Sequence, residues 1–290
     1  MKKAILSFTL LLFLNTSFAQ LTFEQWEDSL SVMLDVTRKT ESIPKMETLN
    51  KEFTQTLKKV LQQDGAFDYG FPKLSKKMST IASPDGAFRL FNWNIEDSYK
   101  EHNFYCLVMT FNKKENKYNI IELKDNFRRT FDAENKLLDH RSWYGALYYE
   151  IIPNGKNAKS YTLLGWNGNN QTSTKKIIEV LEFMSADKIK FGAPIFKYEK
   201  ETKRRVVLEY SKHATVSLKY YDKKDDQRIV FDHLSPENPQ AEGIKEFYHP
   251  DGTFNALVWK NGKWILEQDV DVRLDKKIKN FNNPRDLEKK

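Results

Sequence analysis

The spacing of apolar residues along the 290-residue chain changes period once. Phe23, Trp26, Leu30, Met33 and Leu34 recur at intervals of three and four up to about Lys39, the pattern of a helix that buries one face. Thr22 stands three residues before Gln25, the spacing of a capping box. Ser42-Ile43-Pro44 breaks and restarts the pattern, because proline is tolerated in a first helical turn. Met46, Leu49, Phe53, Leu57, Val60 and Leu61 then form a second stripe that ends near Gly65. Residues 20–66 are therefore expected to fold as an antiparallel helical hairpin.

From about Lys77 the pattern alternates with a period of two. Strands are expected at 77–83, 87–95, 103–111, 118–124, 143–152, 161–166 and 176–184. They continue at 195–198, 205–210, 215–221, 228–233, 244–248, 254–260 and 264–270. Short turns rich in Gly, Asn, Asp and Lys separate most of them. Even spacing of short strands predicts a mainly β fold, an antiparallel meander over residues 67–272. Folding on itself as a propeller-like ring or as a sandwich or barrel would leave few open edges. Pro84-Asp85-Gly86, followed by Phe88, Phe91 and Trp93, is echoed at the same offsets by Pro250-Asp251-Gly252 with Phe254, Leu257 and Trp259. Both tripeptides read as tight hairpins with the glycine at positive φ.

The first nineteen residues follow neither pattern. Lys2 and Lys3 precede an apolar run from Ala4 to Leu14, and Ser17-Phe18-Ala19 offers small residues where a signal peptidase reads. An exported chain beginning at Gln20, in the periplasm or beyond it, is the expectation. No later apolar run approaches the roughly 20 residues of a membrane helix, so no transmembrane segment is expected in the mature chain.

The formal charge of +7 is unevenly placed. Lys2 and Lys3 fall in the signal segment. Seven basic residues against Asp275, Asp286 and Glu288 fall between Arg273 and Lys290, which leaves the body near neutral. A basic tail on a balanced body is a weak polyanion footprint and reads as a frayed, solvated terminus, so no nucleic-acid partner is expected. Cys106, the one cysteine, precludes any intramolecular disulfide. Its neighbours Phe104, Tyr105, Leu107 and Val108 place it in a buried strand as an inert thiol.

Catalytic signatures do not emerge. The chain has no Gly-x-Ser-x-Gly, no phosphate-binding glycine loop and no His-Glu-x-x-His. Asp139-His140 and Asp232-His233 are neighbours in sequence, yet adjacent residues of a strand face opposite ways and do not couple by themselves. Asp232, His233 and His249 remain the candidate catalytic set, should the fold gather them. Asp269-Val270-Asp271 with Asp275 has alternate aspartates, but Arg273 and lysines crowd it, so it reads as a solvated strand end. No metal and no cofactor are expected.

Gly165-Trp166-Asn167-Gly168-Asn169-Asn170 is the most binding-like segment. Trp166 offers a flat apolar face, and Asn167, Asn169 and Asn170 offer paired donors and acceptors, chemistry that suits a sugar. The same residues also make ordinary turns. Trp143, Trp259 and Trp264 could extend an aromatic surface.

The string Tyr161 to Asn170, Val230-Phe-Asp-His-Leu234, Trp259-Lys-Asn-Gly-Lys-Trp264 and Asp269-Val-Asp271 resemble an uncharacterised family of secreted proteins of Bacteroidota-type Gram-negative bacteria. The resemblance runs through most of the β-rich body and is weaker in the helices. It implies export and no established activity, so it carries over no catalytic residue. Two functions are expected of such a chain. One is an exported binding module of the cell envelope that contacts a protein or glycan. The other is a hydrolase of an envelope or extracellular polymer built on Asp232, His233 and His249.

Overall fold

The structure, a computed structural model, describes residues 21–271 except 113, 114, 116, 157, 186, 224 and 225. The expected signal segment and the basic tail lie outside the described residues. Helix α1 spans Phe23–Arg38 and helix α2 Ile43–Leu61. The expected capping box forms, with Gln25 N donating to Thr22 Oγ1 (3.3 Å) and Thr22 N to Gln25 Oε1 (2.9 Å). Leu30, Leu34, Phe53, Leu57, Val60 and Leu61 are fully buried. So is Glu27, whose carboxylate accepts from Tyr69 Oη, Lys73 N and Leu74 N at 2.8–2.9 Å. That carboxylate pins the chain as it leaves the hairpin.

Three sheets follow. Strands β1 (Phe88–Glu96), β2 (His102–Asn112) and β3 (Lys117–Lys124) form the first, in that order and antiparallel. Strands β4 (Leu138–Asp139), β5 (Leu147–Pro153), β6 (Ser160–Asn167), β7 (Ser173–Ser185) and β8 (Lys188–Phe191) form the second, in the order β4-β8-β7-β6-β5. The chain then makes the short pair β9 (Phe196–Lys197) and β10 (Thr202–Lys203), and returns as β11 (Arg205–Ser211), which pairs with the N-terminal half of β7. Strands β12 (Leu218–Lys223), β13 (Asp226–Pro236), β14 (Tyr248–Lys260) and β15 (Lys263–Glu267) complete the third sheet, ordered β10-β9-β15-β14-β13-β12. Among the described strands all pairings are antiparallel except β15 with β9, and an isolated parallel bridge joins Asp125 to Trp143.

The layers stack in sequence order, and alternation explains how. Phe91, Trp93, Ile95, Leu107 and Met109 of the first sheet pack under the helices. Trp93 donates Nε1 to Asn50 Oδ1 (2.9 Å) and meets Phe53 edge-on at 5.1 Å. The opposite face, with Leu90, Phe104, Cys106 and Val108, packs on Tyr161, Leu163, Ile177 and Leu181 of the second sheet. Ile178 and Val180 face the other way, onto Ile229, Phe231, Leu257 and Trp264 of the third. The middle sheet is covered on both faces, which is why Ile177–Leu181 reads as a nearly continuous apolar run. A helical hairpin and three stacked antiparallel sheets therefore share one body, the layered form among the expected arrangements.

Three local expectations need correction. Residues 77–83 make only single bridges to β1, Ser79 with Asn92 and Ala82 with Arg89. Residues 244–248 hold a 3-10 turn, Lys245–Phe247, before β14 begins. Pro250-Asp251-Gly252 is no hairpin but lies inside β14, where the ladder to β13 shifts register between Asp232 and Leu234. Gly252 does take φ +89°, a conformation that glycine adopts without a Cβ penalty. Pro84-Asp85-Gly86 is the expected tight turn, with Gly86 at φ +67° donating N to Ser83 O (2.9 Å). The two tripeptides thus share chemistry, not architecture.

Candidate binding cleft

Trp166 is half-buried, its ring set against His102 (5.3 Å between centroids) and Phe104 (6.4 Å). Asn167 is fully buried; its amide donates to Gly145 O (2.5 Å) and its Oδ1 accepts from Asn169 N (2.7 Å). Asn169, at φ +49°, donates to Ser173 Oγ (2.6 Å) and Glu209 Oε1 (3.1 Å). Asn170 Oδ1 accepts from Thr172 N and Ser173 N, each at 2.9 Å. Asn167 and Asn169 are thus buried within the turn between β6 and β7, whereas Asn170 is exposed and Trp166 half-buried. Trp143 and Trp264 are buried, and Trp259 meets Trp264 at a tilt with 4.9 Å between centroids, so no continuous aromatic surface forms from them.

Asp232, His233 and His249 do not converge. Asp232 Oδ2 accepts from Ser217 N (2.6 Å), and burial raises its carboxyl above the usual range. His249 Nε2 lies 3.7 Å from Glu237. His233 finds a carboxylate across the strands instead, with Nδ1 2.6 Å from Asp251 Oδ2 at the bulge. Burial pushes Asp251 upward, but hydrogen bonds from Thr253 and His233 outweigh it and hold the group low. Asp269 donates its backbone N–H to Asn255 Oδ1 (3.4 Å). Among the described residues no cluster of His, Cys, Asp or Glu could hold a metal ion.

His233 lines a cleft of about 540 Å³ between the β11 edge of the second sheet and the third sheet. Phe231, Asn255 and Leu266 stand on the same wall. The opposite side is β11 itself, Val206 to Glu209, with Tyr144 and Lys175 beyond it. Tyr198 and Lys203 line it from the β9–β10 pair, and Lys245 and Tyr248 from the start of β14. Both deep lysines are neutralised in place. Lys175 Nζ lies 3.5 Å from Glu209 and 5.7 Å from the Phe127 ring centre. Lys203 Nζ donates to Glu134 Oε2 (2.7 Å) over the Tyr198 ring; burial pulls its pKa down, but Glu134 and Glu201 raise it by more.

A buried ion pair supports the β11 side. Arg205 Nε donates to Glu179 Oε2 (2.6 Å), with both side chains wholly inaccessible, and Arg205 Nη1 donates to Ala133 O (2.5 Å). Tyr148 Oη donates to the other oxygen of Glu179 and accepts from Trp143 Nε1 (2.6 Å). Ala133 leads into Glu134, whose carbonyl accepts from Arg205 N (3.2 Å) and whose Oε1 accepts from Val207 N (3.1 Å). Sequence reading misses this set, although Glu179 inside the apolar run 177–181 is the signal that a buried partner exists.

No protein-family model, curated protein or solved structure matches the chain.

Proposed function

We propose that the protein is an exported binding module of the cell envelope that seats its partner in the cleft between β11 and the third sheet. One observation carries this reading. The cleft offers aromatic rings and hydrogen-bonding groups beside an open strand edge, while Asp232, His233 and His249 each take a separate partner. Export rests on Lys2, Lys3, the Ala4–Leu14 run and Ser17-Phe18-Ala19. The experiment is titration of the chain from Gln20 with octapeptides and with xylo- and chito-hexaose, followed by mass analysis of the recovered probe. Saturable binding that is weakened by Leu208→Asp, with the probe returned intact, is the expected result.

The His233–Asp251 couple on the cleft wall favours a second reading, hydrolysis of an envelope polymer, because a carboxylate-held imidazole is a general-base arrangement. A probe returned cleaved, with cleavage lost in His233→Ala, would replace the binding module by this enzyme.

A further inference from the structure

Resting on the cleft reading, we infer that the partner is an extended peptide segment that adds as a strand to the open edge of β11. Among the described residues, strand β11 pairs only with β7. Lys212 N donates to Thr172 O, so even-numbered residues bond inward and odd-numbered ones point away from β7. Glu134 meets the outward N–H groups of Arg205 and Val207. Past its reach, Glu209 N–H and the carbonyls of Val207 and Glu209 have no partner among the described residues. They line the cleft. Glu134 already occupies part of the edge as a neighbouring strand would, which sets where an incoming peptide begins.

Open edges are ordinarily blunted by charge, proline or a covering element. Here Val207 and Leu208 are partly buried beside the core residue Val206, Arg205 is buried, and Glu209 is held aside by Ser173 Oγ (2.5 Å), Asn169 and Lys175. Pleating then sorts an added strand. Residues beside Leu208 face the wall with Phe231 and Leu266, whereas those beside Glu209 face Tyr144 and Lys175. Exposed apolar residues adjoin the lining in sequence: Phe131, 77% exposed, falls between Thr130 and Ala133, and Ile244 and Phe247 fall on either side of Lys245. A peptide with apolar residues at every second position satisfies the backbone edge and these surfaces together.

The test is calorimetric titration of the full mature chain with a pool of octapeptides alternating valine or leucine with threonine, together with backbone hydrogen exchange. Strand addition predicts that the Glu209 amide exchanges about tenfold or more slowly in the complex. It also predicts that N-methylation of alternate peptide amides weakens binding about tenfold or more. Phe131→Asp, at an exposed site that leaves folding intact, is expected to weaken binding as well. Peptide binding that is indifferent to N-methylation, with Glu209 unprotected, overturns the inference. Binding of xylo- or chito-hexaose but of no peptide, lost in Leu208→Asp, overturns the peptide and keeps the cleft. Protection of Glu209 without peptide, in a concentration-dependent dimer, assigns the edge to a second copy and also overturns it. Failure of every probe to bind at the cleft overturns both readings.

Discussion

Gly168→Ala probes the turn that carries Asn169 and, through it, Glu209 at the cleft. Gly168 is buried, and a Cβ there would stand 2.7 Å from Cγ of His102 and nearer still to Cδ2 and Nε2. His102 has little room to yield. Its Nδ1 accepts from Asn94 Nδ2 at 2.9 Å, and Trp166 and Phe104 stand at 5.3 and 6.2 Å between centroids. Overpacking of this kind costs about 1–3 kcal/mol. Displacing the ring also breaks the Asn94 hydrogen bond, for about 1 kcal/mol more. The expected loss is therefore roughly 2–4 kcal/mol. His102→Ala vacates the space the new Cβ needs, so Gly168→Ala should cost less than about 1 kcal/mol in that background. Urea unfolding of the wild type, the two single variants and the double variant measures the coupling. Additivity within about 0.5 kcal/mol would refute the reasoning, because it would mean the ring and the glycine do not meet.

Burial holds the His102 pKa below its ordinary value, with Lys212 and Arg128 acting in the same direction against Glu96 and Asp97. The unfolded chain then binds the proton first, so stability is full above about pH 6.5 and falls as pH drops toward the folded-state value. His102→Gln should abolish that loss below about pH 6.5 in urea titrations, and an unchanged slope would contradict the assignment. Gly86→Ala and Gly252→Ala, at φ +67° and +89° with open space around the Cβ, should each cost about 1 kcal/mol from backbone strain alone. Equal losses at the turn and at the bulge are expected, and a neutral result at either would refute the argument there. Cys106 is 1% exposed and burial pushes its thiol well up, so a thiol reagent should label it only after unfolding. Labelling of the native protein would contradict that placement.

Local periodicity made the helices and most strands legible. Thr22 and Gln25 mark the first cap, and the alternation Phe104, Cys106, Val108 against Leu107 and Met109 separates the two faces of β2. The stacking order was not legible, because alternation assigns a residue to a face without saying what covers it. Pro250-Asp251-Gly252 was misread because a glycine at positive φ serves a tight turn and a bulged strand alike. The Gly165–Asn170 segment allowed both a recognition surface and ordinary turn chemistry, because which way the amides point depends on Gly145, Ser173 and Glu209. The cleft depends on pairings distant in sequence, Arg205 with Glu179 and Val207 with Glu134, and on His233 meeting Asp251 rather than its neighbour Asp232.

The central claim is that partners engage the β11 cleft and not the Trp166 turn. Amide chemical-shift mapping of the chain from Gln20, titrated with the alternating valine–threonine octapeptides, tests it most directly. The account predicts saturating shifts at Val207, Leu208, Glu209, His233 and Gln268, with Trp166 Nε1 and the Asn170 amide nearly unmoved. Shifts concentrated at Trp166, Asn169 and Asn170, with the β11 amides unchanged, would contradict it.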